Sequence, residues 1–188
     1  MGRWEPNARG RLEQAALELF VERGFEQTTV AEIAERAGLT ERTFFRHFTD
    51  KREVLFAGGS ALQELFVRGV AQAPADAAPL EAVSGALQAA APMLQQRGDY
   101  PSQRRAVIAA NPELQERELI KLAGLAAAMA AALRDRGVPE PTASLAAEAG
   151  IAVFRIAFER WTTEACHPDL AALIRDSLDK LKAVTAGR

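Results

Sequence analysis

The segment from residue 29 to residue 48 carries the densest set of helix start and stop signals in the chain, and it strongly limits the local fold. Thr29 and Glu32 have the spacing of a capping box, in which a hydroxyl and a carboxylate satisfy free backbone N–H groups. Gly38 permits a tight reversal, and Thr40 is a favourable N-cap for the next helix. The segment is therefore predicted to form two short helices joined by a glycine turn.

Helical spacing extends through the rest of the chain. Alanine is the most frequent residue, β-branched residues are scarce, and 48% of the 188 residues are hydrophobic. Apolar residues recur at helical spacing between breaks marked by proline and glycine, without a strand pattern or an internal repeat. The sequence therefore predicts an all-α fold. After a first helix that ends at Arg23-Gly24 and the two short helices, we expect helices near 51–72, 80–97, 102–110, 112–136, 142–165 and 169–184.

A second capping box marks the change from short to long helices. Asp50 and Glu53 have the spacing of an N-cap residue and its partner, which predicts that one helix opens there and continues to residue 72. The short helices lie before this point and the long ones after it. We therefore expect a three-helix domain over 1–50 and a larger helical bundle over 51–188.

Charge is distributed unevenly along the chain. The formal net charge is −2, which argues against a protein that coats nucleic acid without sequence preference. A local basic excess on a glycine-linked pair of helices is, however, typical of a helix-turn-helix that binds DNA. Between residues 36 and 52, only Glu41 and Asp50 oppose the basic residues Arg36, Arg42, Arg46, Lys51 and Arg52.

The second short helix is predicted to present a small, mixed surface. Burial of Leu39, Phe44 and Phe48 would fix the orientation of this helix. The side chains then directed outward, where base edges would lie, are those of Glu41, Arg42, Phe45 and Arg46. The residues alone also fit a helical hairpin within a bundle, with its arginines solvated.

A longer pattern surrounds the helix pair and covers about the first third of the chain. Its elements are Gly24-Phe25-Glu26-Gln27-Thr28-Thr29-Val30, Ile33-Ala34, Ala37-Gly38-Leu39-Thr40, Thr43, Phe45, His47-Phe48, Lys51 and Val54-Leu55. This pattern closely resembles the N-terminal signature of the TetR (tetracycline-repressor) family. The resemblance implies a helix-turn-helix DNA-binding domain followed by a helical-bundle ligand-binding and dimerisation domain. It further implies a sequence-specific regulator, a repressor released from its operator by a small, mainly apolar ligand.

The resemblance also implies roles for individual residues. Base or groove contacts are expected from Glu41, Arg42, Phe45 and Arg46, and phosphate contacts from Thr29, Thr43, His47 and Lys51. The family often has tyrosine where this chain has Phe45, so a hydrogen bond from a hydroxyl to phosphate is lost here.

Two long helices, near 142–165 and 169–184, are expected from the resemblance to pair with those of a second copy. The homodimer would read a palindromic operator in double-stranded DNA, with half-sites about one helical turn apart. The residues themselves also fit a core within one subunit. Their apolar positions are Leu145, Ala149, Ala152, Val153, Ile156 and Trp161 in the first helix and Leu170, Leu173, Ile174, Leu178 and Leu181 in the second.

An apolar ligand cavity is the remaining expectation for the second domain, and its effector is a small molecule whose identity the residues do not encode. Core packing is the alternative for every apolar position in this set. The candidate lining residues are Phe66, Met93, Tyr100, Met129, Phe154 and Phe158, with Arg104 available for an anionic group.

Other chemistry finds little support in the sequence. No catalytic residues, metal ligands or cofactor site are predicted, because no convergent nucleophile, base or ligand set is present. Cys166-His167 lacks a third orienting group and is interpreted as a solvated turn. Glu113, Glu116 and Glu118 are expected to be a solvated first turn that complements a helix dipole.

The single cysteine, Cys166, cannot form an intramolecular disulfide, which predicts a cytoplasmic protein, and neither an export signal nor a membrane anchor is expected. The first six residues lack the apolar core of a signal peptide, and the longest apolar stretch, 122–133, is too short to span a bilayer. Arg3, Arg9 and Arg11 fit either an arm over the DNA backbone or a disordered N-terminus.

Overall fold

A computed structural model describes residues 7–164 and 168–187 of the chain. Over these residues the chain is helical and without strands, so the all-α prediction is confirmed. None of the helices in this part of the chain is both long enough and apolar enough to cross a membrane. The predictions for Arg3 and for the Cys166-His167 turn lie outside the described residues. The helices are α1 (Ala8–Arg23), α2 (Val30–Arg36), α3 (Glu41–His47), α4 (Gly59–Ala71), α5 (Pro79–Gln95), α6 (Tyr100–Ala109), α7 (Pro112–Asp135), α8 (Thr142–Thr163) and α9 (Leu170–Thr185).

The predicted caps organise the first three helices. The Thr29 hydroxyl accepts a hydrogen bond from the Glu32 amide, and the Glu32 carboxylate accepts one from the Thr29 amide, so the capping box is confirmed. The Thr40 hydroxyl accepts from the Thr43 amide at the start of α3. Gly38 has a φ of +64°, a left-handed conformation that favours glycine, and this allows the tight turn between α2 and α3.

The prediction of a single helix over 51–72 is wrong. Asp50 does accept hydrogen bonds from the amides of Arg52 and Glu53, but a short 3₁₀ turn, Glu53–Phe56, follows this cap. Helix α4 begins only at Gly59. Two consecutive glycines, Gly58 and Gly59, are poor helix formers, so the helical conformation is not propagated through this segment.

The described residues fall into two compact units. The first, which we call the head, runs to Gly58 and also includes 102–118; the second consists of 59–101 and the residues from Leu119 onward. Helix α7 contributes its first residues to the head and the remainder to the second unit. The division into folding domains at 1–50 and 51–188 stays a prediction.

Helix α1 is central to the helix packing in the N-terminal part of the head. It packs against α2, α3 and the 3₁₀ turn, and α2 packs against α3. The segment 102–118 adds buried apolar residues of its own to this unit. Among the buried side chains are Leu12, Ala16, Leu19, Phe20, Phe25, Ile33, Phe44, Phe48, Val54, Leu55, Val107, Ile108 and Leu114.

Helix α5 has the central position in the second unit, where it packs against α4, α8 and α9. Two glycines allow close helix crossings. A methyl group at Gly69 of α4 would lie 2.6 Å from the Ala86 Cβ of α5, and one at Gly150 of α8 would overlap the Val83 Cγ1 of α5. The approach of α5 to α4 and α8 therefore depends on the absence of side chains at these two positions.

We expect Gly150→Ala to lower the free energy of unfolding by about 1–3 kcal/mol, because the added methyl group has no space against the rigid, buried Val83. Urea denaturation followed by circular dichroism measures the change. Gly124→Ala on α7 is the matched control, since a methyl group there meets no neighbouring atom. The free energy of unfolding of this control variant is expected to rise by about 0.5–1 kcal/mol, because alanine has a higher helix propensity than glycine. Equal stabilisation of both variants would contradict the close crossing.

Candidate nucleic-acid interface

Aromatic packing fixes the orientation of α3 in the head. Phe44 is 0% exposed and Phe48 is buried, and their ring centroids are 5.4 Å apart. Leu39, at the start of this segment, is half-buried. The predicted inward side of α3 is therefore anchored mainly by two phenylalanines.

The outward side of α3 carries the four side chains expected from helical spacing. All four are exposed, and the Phe45 side chain is 56% exposed. Their contacts with bases stay a prediction. The residues are Glu41, Arg42, Phe45 and Arg46.

Ion pairs reduce the positive charge around α3 below what the sequence suggested. The Arg36 guanidinium donates to Glu22 with both terminal nitrogens, at 3.0 and 2.9 Å, and this pairing holds the pKa of the Glu22 carboxyl below its usual range. Arg52 pairs with Asp50 and lies 3.5 Å from Glu113. The acidic partners Glu22 and Glu113 come from α1 and α7, which lie far from α3 in the sequence.

Two arginines keep their charge available to a partner. In the described part of the chain, Arg42 and Arg46 have no hydrogen bond or ion pair from their side chains, and both are exposed. They lie four residues apart, so they share one side of α3. The basic surface of the head is therefore narrower than predicted and is centred on these two residues.

Lys51 has a structural role that the sequence did not indicate. Its Nζ donates to the carbonyl oxygens of Phe25 at 2.8 Å, Glu26 at 3.3 Å and Thr28 at 3.1 Å, and it lies 4.3 Å from the Phe25 ring centroid. An ammonium group has three N–H donors, so all three are engaged by the loop before α2. Because no N–H donor is left, the predicted contact of Lys51 with phosphate would be an electrostatic attraction without a direct hydrogen bond.

The other residues predicted to contact phosphate form hydrogen bonds within the head or are partly buried in it. The Thr29 hydroxyl donates to the Glu32 carboxylate at 2.9 Å, and the Thr43 hydroxyl lies 3.1 Å from that of Thr40. The His47 Nε2 is buried without a hydrogen-bond partner in the described residues, so any contact with phosphate has to come from its Nδ1. These contacts stay predictions.

Two residues of the proposed N-terminal arm are part of α1 and hold the head together. The Arg11 guanidinium donates to the Ala37 carbonyl oxygen beside the turn that precedes α3. Arg9 donates to the Ala57 carbonyl oxygen at 2.9 Å, and its guanidinium lies 5.3 Å from the Phe48 ring centroid. Sequence reasoning missed these positioning roles, because the acceptors are backbone carbonyls far along the chain.

Arginines of α6 and α7 bind the 3₁₀ turn within the head. Arg104 donates to the Leu55 carbonyl oxygen at 2.6 Å and to Glu118 at 2.9 Å, and its guanidinium lies 5.0 Å from the Phe56 ring centroid. Arg117 donates to the Glu53 carboxylate through two nitrogens. Glu113 in the first turn of α7 pairs with Arg52, and Glu118 in the second turn pairs with Arg104. The expectation that these carboxylates are only solvated is therefore wrong for both.

Two family models match this chain, and together they cover most of its length. Residues 13–57 match the family model described as bacterial regulatory proteins, tetR family. Residues 77–186, more than half of the chain, match the model described as MftR C-terminal domain. The chain belongs to the TetR family. Its N-terminal part therefore matches a domain of bacterial regulatory proteins.

Individual relatives agree with the TetR assignment. Over 81 residues the chain is 47% identical to the HTH-type transcriptional regulator TcmR of Streptomyces glaucescens, covering 43% of this chain and 36% of TcmR. Over 65 residues it is 40% identical to the HTH-type transcriptional activator FasR of Mycolicibacterium smegmatis, covering 35% and 30% of the two chains. The chain thus matches only about a third of the length of these curated relatives.

One solved TetR structure is similar over nearly the whole length. FadR of Thermus thermophilus, a TetR-family transcriptional repressor in complex with lauroyl-CoA, is 25% identical. The match covers 91% of each chain with a TM-score of 0.51. The helical domain behind the head is therefore also typical of the TetR family.

The predicted ligand residues of this TetR protein are divided between the two units. Arg104 belongs to the head, whereas the other six belong to the second unit. Phe66 and Met129 are 0% exposed, and Phe154 is buried. Phe158, Met93 and Tyr100 are half-buried. Their contact with a ligand stays a prediction.

Within 7–164 and 168–187, no three His, Cys, Asp or Glu side chains come together in a way that would hold a metal ion.

Asp50 is the acidic centre of the contacts around the 3₁₀ turn. Burial by itself would raise the pKa of its carboxyl, but hydrogen bonds from the Arg52 side chain and the Glu53 amide, together with the charge of Arg117, outweigh burial. The pKa of Asp50 is therefore held below its usual range. A carboxyl whose pKa is lower in the folded state stabilises that state when it is ionised.

We expect Asp50→Asn to reduce the stability of the TetR protein at pH 7 and to make it less sensitive to acid. The contribution of the ionised carboxyl is complete above the unfolded pKa of about 3.9 and is lost as pH falls through the lower folded pKa. The difference in unfolding free energy between wild type and variant should therefore shrink below about pH 4. Urea titrations from pH 7 to pH 3 measure it.

The control for this experiment is Asp179→Asn, which removes an exposed carboxylate with no hydrogen bond or ion pair in the described part of the chain. A difference between wild type and Asp50→Asn that does not change with pH would contradict the role assigned to the Asp50 carboxylate.

Proposed function

We propose that this TetR-family protein is a cytoplasmic, sequence-specific repressor whose homodimer binds a palindromic operator and is released by a small, mainly apolar ligand. The observation that carries the proposal is the exposed surface of α3. Arg42 and Arg46 lie there beside an exposed Phe45, and neither forms an ion pair with any of the residues that the structure describes. Exposed guanidinium groups on a short helix in a helix-turn-helix are suited to major-groove base edges.

Each residue of this surface can make a different kind of contact with DNA. Arg42 can donate two hydrogen bonds to the O6 and N7 of guanine, and Arg46 can do the same or bind phosphate. Glu41 has only acceptors when ionised, which suits the amino group of cytosine. We assign Thr29, Thr43, His47 and Lys51 to the phosphate backbone, where they would fix the position of the head without reading sequence.

Selection from a library of random DNA duplexes tests the proposal. The full-length protein is incubated with the library at about 150 mM salt, which screens weak nonspecific contacts. We expect enrichment of a palindrome whose half-sites are separated by about 34–36 Å. Recovery of random sequences, or of a single unpaired half-site, would overturn sequence-specific binding or dimeric binding, respectively.

Arg42→Ala should weaken binding to the selected operator by about 1–3 kcal/mol and relax the base preference at one position of each half-site, because a bidentate contact is lost. Fluorescence anisotropy measures affinity, and repeated selection measures preference. Arg68→Ala on α4 removes an equal charge from an exposed position outside the head and serves as control. Loss of affinity without any change in preference would move Arg42 to the phosphate-binding set.

Repression and activation are distinguished by the direction in which the bound protein changes transcript yield. FasR of Mycolicibacterium smegmatis is named an activator, and FadR of Thermus thermophilus a repressor. Activation is therefore the alternative function. In-vitro transcription from a promoter overlapping the selected operator separates them, since a repressor lowers transcript yield and an activator raises it.

An exposed apolar stripe on α8 supports the homodimer. Leu145 is 67% exposed and Ile156 is 51% exposed, and the half-buried Ala149 and Ala152 lie between them at helical spacing. The apolar residues predicted on α9 have a different role. Most of them are buried in the core of their own subunit, including Leu170, Leu173, Ile174 and Leu178.

Charges beside the α8 stripe suit a twofold arrangement. An antiparallel pair of α8 helices, related by an axis near residues 151 and 152, sets Arg155 opposite the partner's Glu148, because both residues are equally far from that point. Both side chains are exposed. The small side chains of Ala149 and Ala152 would permit close approach at the axis. Two symmetric ion pairs would then flank the contact.

Arg155→Glu is expected to raise the dissociation constant of the dimer about tenfold or more, because like charges then face each other twice. Adding Glu148→Arg should restore association, since the charges are exchanged but opposite again. Sedimentation velocity over a concentration series measures both. Arg68→Glu on α4 controls for the change in net charge. Failure of the double variant to recover would contradict this pairing.

The aromatic core of the second unit supports an apolar ligand. The Phe66 and Phe154 ring centroids are 5.5 Å apart, and those of Phe154 and Phe158 are 5.6 Å apart. The acyl chain of lauroyl-CoA, bound by the similar FadR, is an apolar ligand of the kind that such residues would contact. Release from DNA requires that the ligand bind more tightly to a form of the dimer in which the two heads no longer match the operator.

A further inference from the structure

The exposed ring of Phe45 is unusual for the surface on which it lies. Among the residues that the structure describes, it is the only exposed aromatic side chain. Its neighbour Phe44 is 0% exposed, and the two rings are 5.5 Å apart at an angle of 82°. The buried ring therefore supports the exposed one from one side and limits its movement.

Phe45 is placed among the groups proposed to face base edges. Arg42 precedes it by three residues and Glu41 by four, so these side chains lie on the same side of α3. The phenyl ring has no hydrogen-bond donor or acceptor, so it cannot read the polar pattern of a base pair. The C5-methyl group of thymine is the apolar group that the major groove presents.

We propose that Phe45 is a specificity-determining residue that contacts the C5-methyl group of a thymine in each half-site. This inference rests on the proposed function. Helix rise places Phe45 about 4.5 Å beyond Arg42 along the axis, close to the spacing of about 3.4 Å between base pairs. The thymine is therefore within two base pairs of the guanine contacted by Arg42. Phe45 discriminates thymine from cytosine and from uracil at that position.

Deoxyuridine substitution in the selected operator tests the contact, because it removes only the methyl group. Each thymine of one half-site is replaced singly, and affinities of the full-length dimer are measured by fluorescence anisotropy. For the wild type, we expect about a fourfold loss at one position, the value of burying one methyl-sized group. The Phe45→Ala variant should bind the thymine and deoxyuridine operators equally. Comparing two DNAs with the same protein sample removes any effect of the substitution on folding.

Two further variants sharpen the assignment. Phe45→Tyr keeps the ring and should keep the preference for thymine. Val21→Ala shortens a side chain of the head that is 54% exposed on α1, and it should also keep the preference. Loss of the preference in Val21→Ala would overturn the assignment to Phe45.

The outcomes separate this inference from the function on which it rests. If a palindrome is enriched but no deoxyuridine substitution changes the affinity, the thymine contact is overturned and the proposed function as a regulator still stands. A preference for thymine that persists in Phe45→Ala assigns the methyl contact to another residue and also overturns the inference. Absence of any enriched palindrome overturns the proposed function itself.

Discussion

Burial of Phe44 and Phe48 maintains α3 as a helix. A helix of seven residues is too short to be stable alone in water, so tertiary packing has to stabilise it. The same packing determines which side chains of α3 are exposed, because Phe44 and Phe45 are consecutive and therefore point in different directions from the helix axis. Arg9 and Arg11 add to this arrangement from α1, one against the Phe48 ring and one at the turn before α3. The exposed surface of α3, which we propose to read DNA, thus depends on the core beneath it.

Local signals in the sequence were sufficient to predict the first three helices. The capping box of Thr29 and Glu32 and the turn at Gly38 involve residues within a few positions of each other, so their geometry follows from local chemistry. The break at Gly58 and Gly59 is equally local, but the cap at Asp50 favours a helix that runs through it, and the prediction of one long helix follows from that cap. A good N-cap favours the start of a helix and contains no information on how far it continues.

Interactions between distant segments were not predictable in the same way. Counting charges near α3 gave a broad basic surface, whereas Arg36 pairs with Glu22 of α1 and Arg52 lies near Glu113 of α7. Periodicity likewise identified an apolar side on α9, but it did not indicate whether α5 of the same subunit or a second copy covers it. In the structure α5 packs against α9, and Leu173 and Ile174 are buried in that core. Such assignments require the three-dimensional positions of the partners.

The head is discontinuous in sequence, and this limits how modular the protein is. Residues 102–118 belong to the same compact unit as α1, α2 and α3, and they bring Arg104 and Arg117 to the 3₁₀ turn. A fragment that stops at Gly58 would lack both guanidinium groups and leave Glu53 without its Arg117 partner. A chimera made by joining this N-terminus to the sensing domain of another regulator would break the same contacts. Transplanting the intact head of this protein therefore means grafting two separate stretches of chain together.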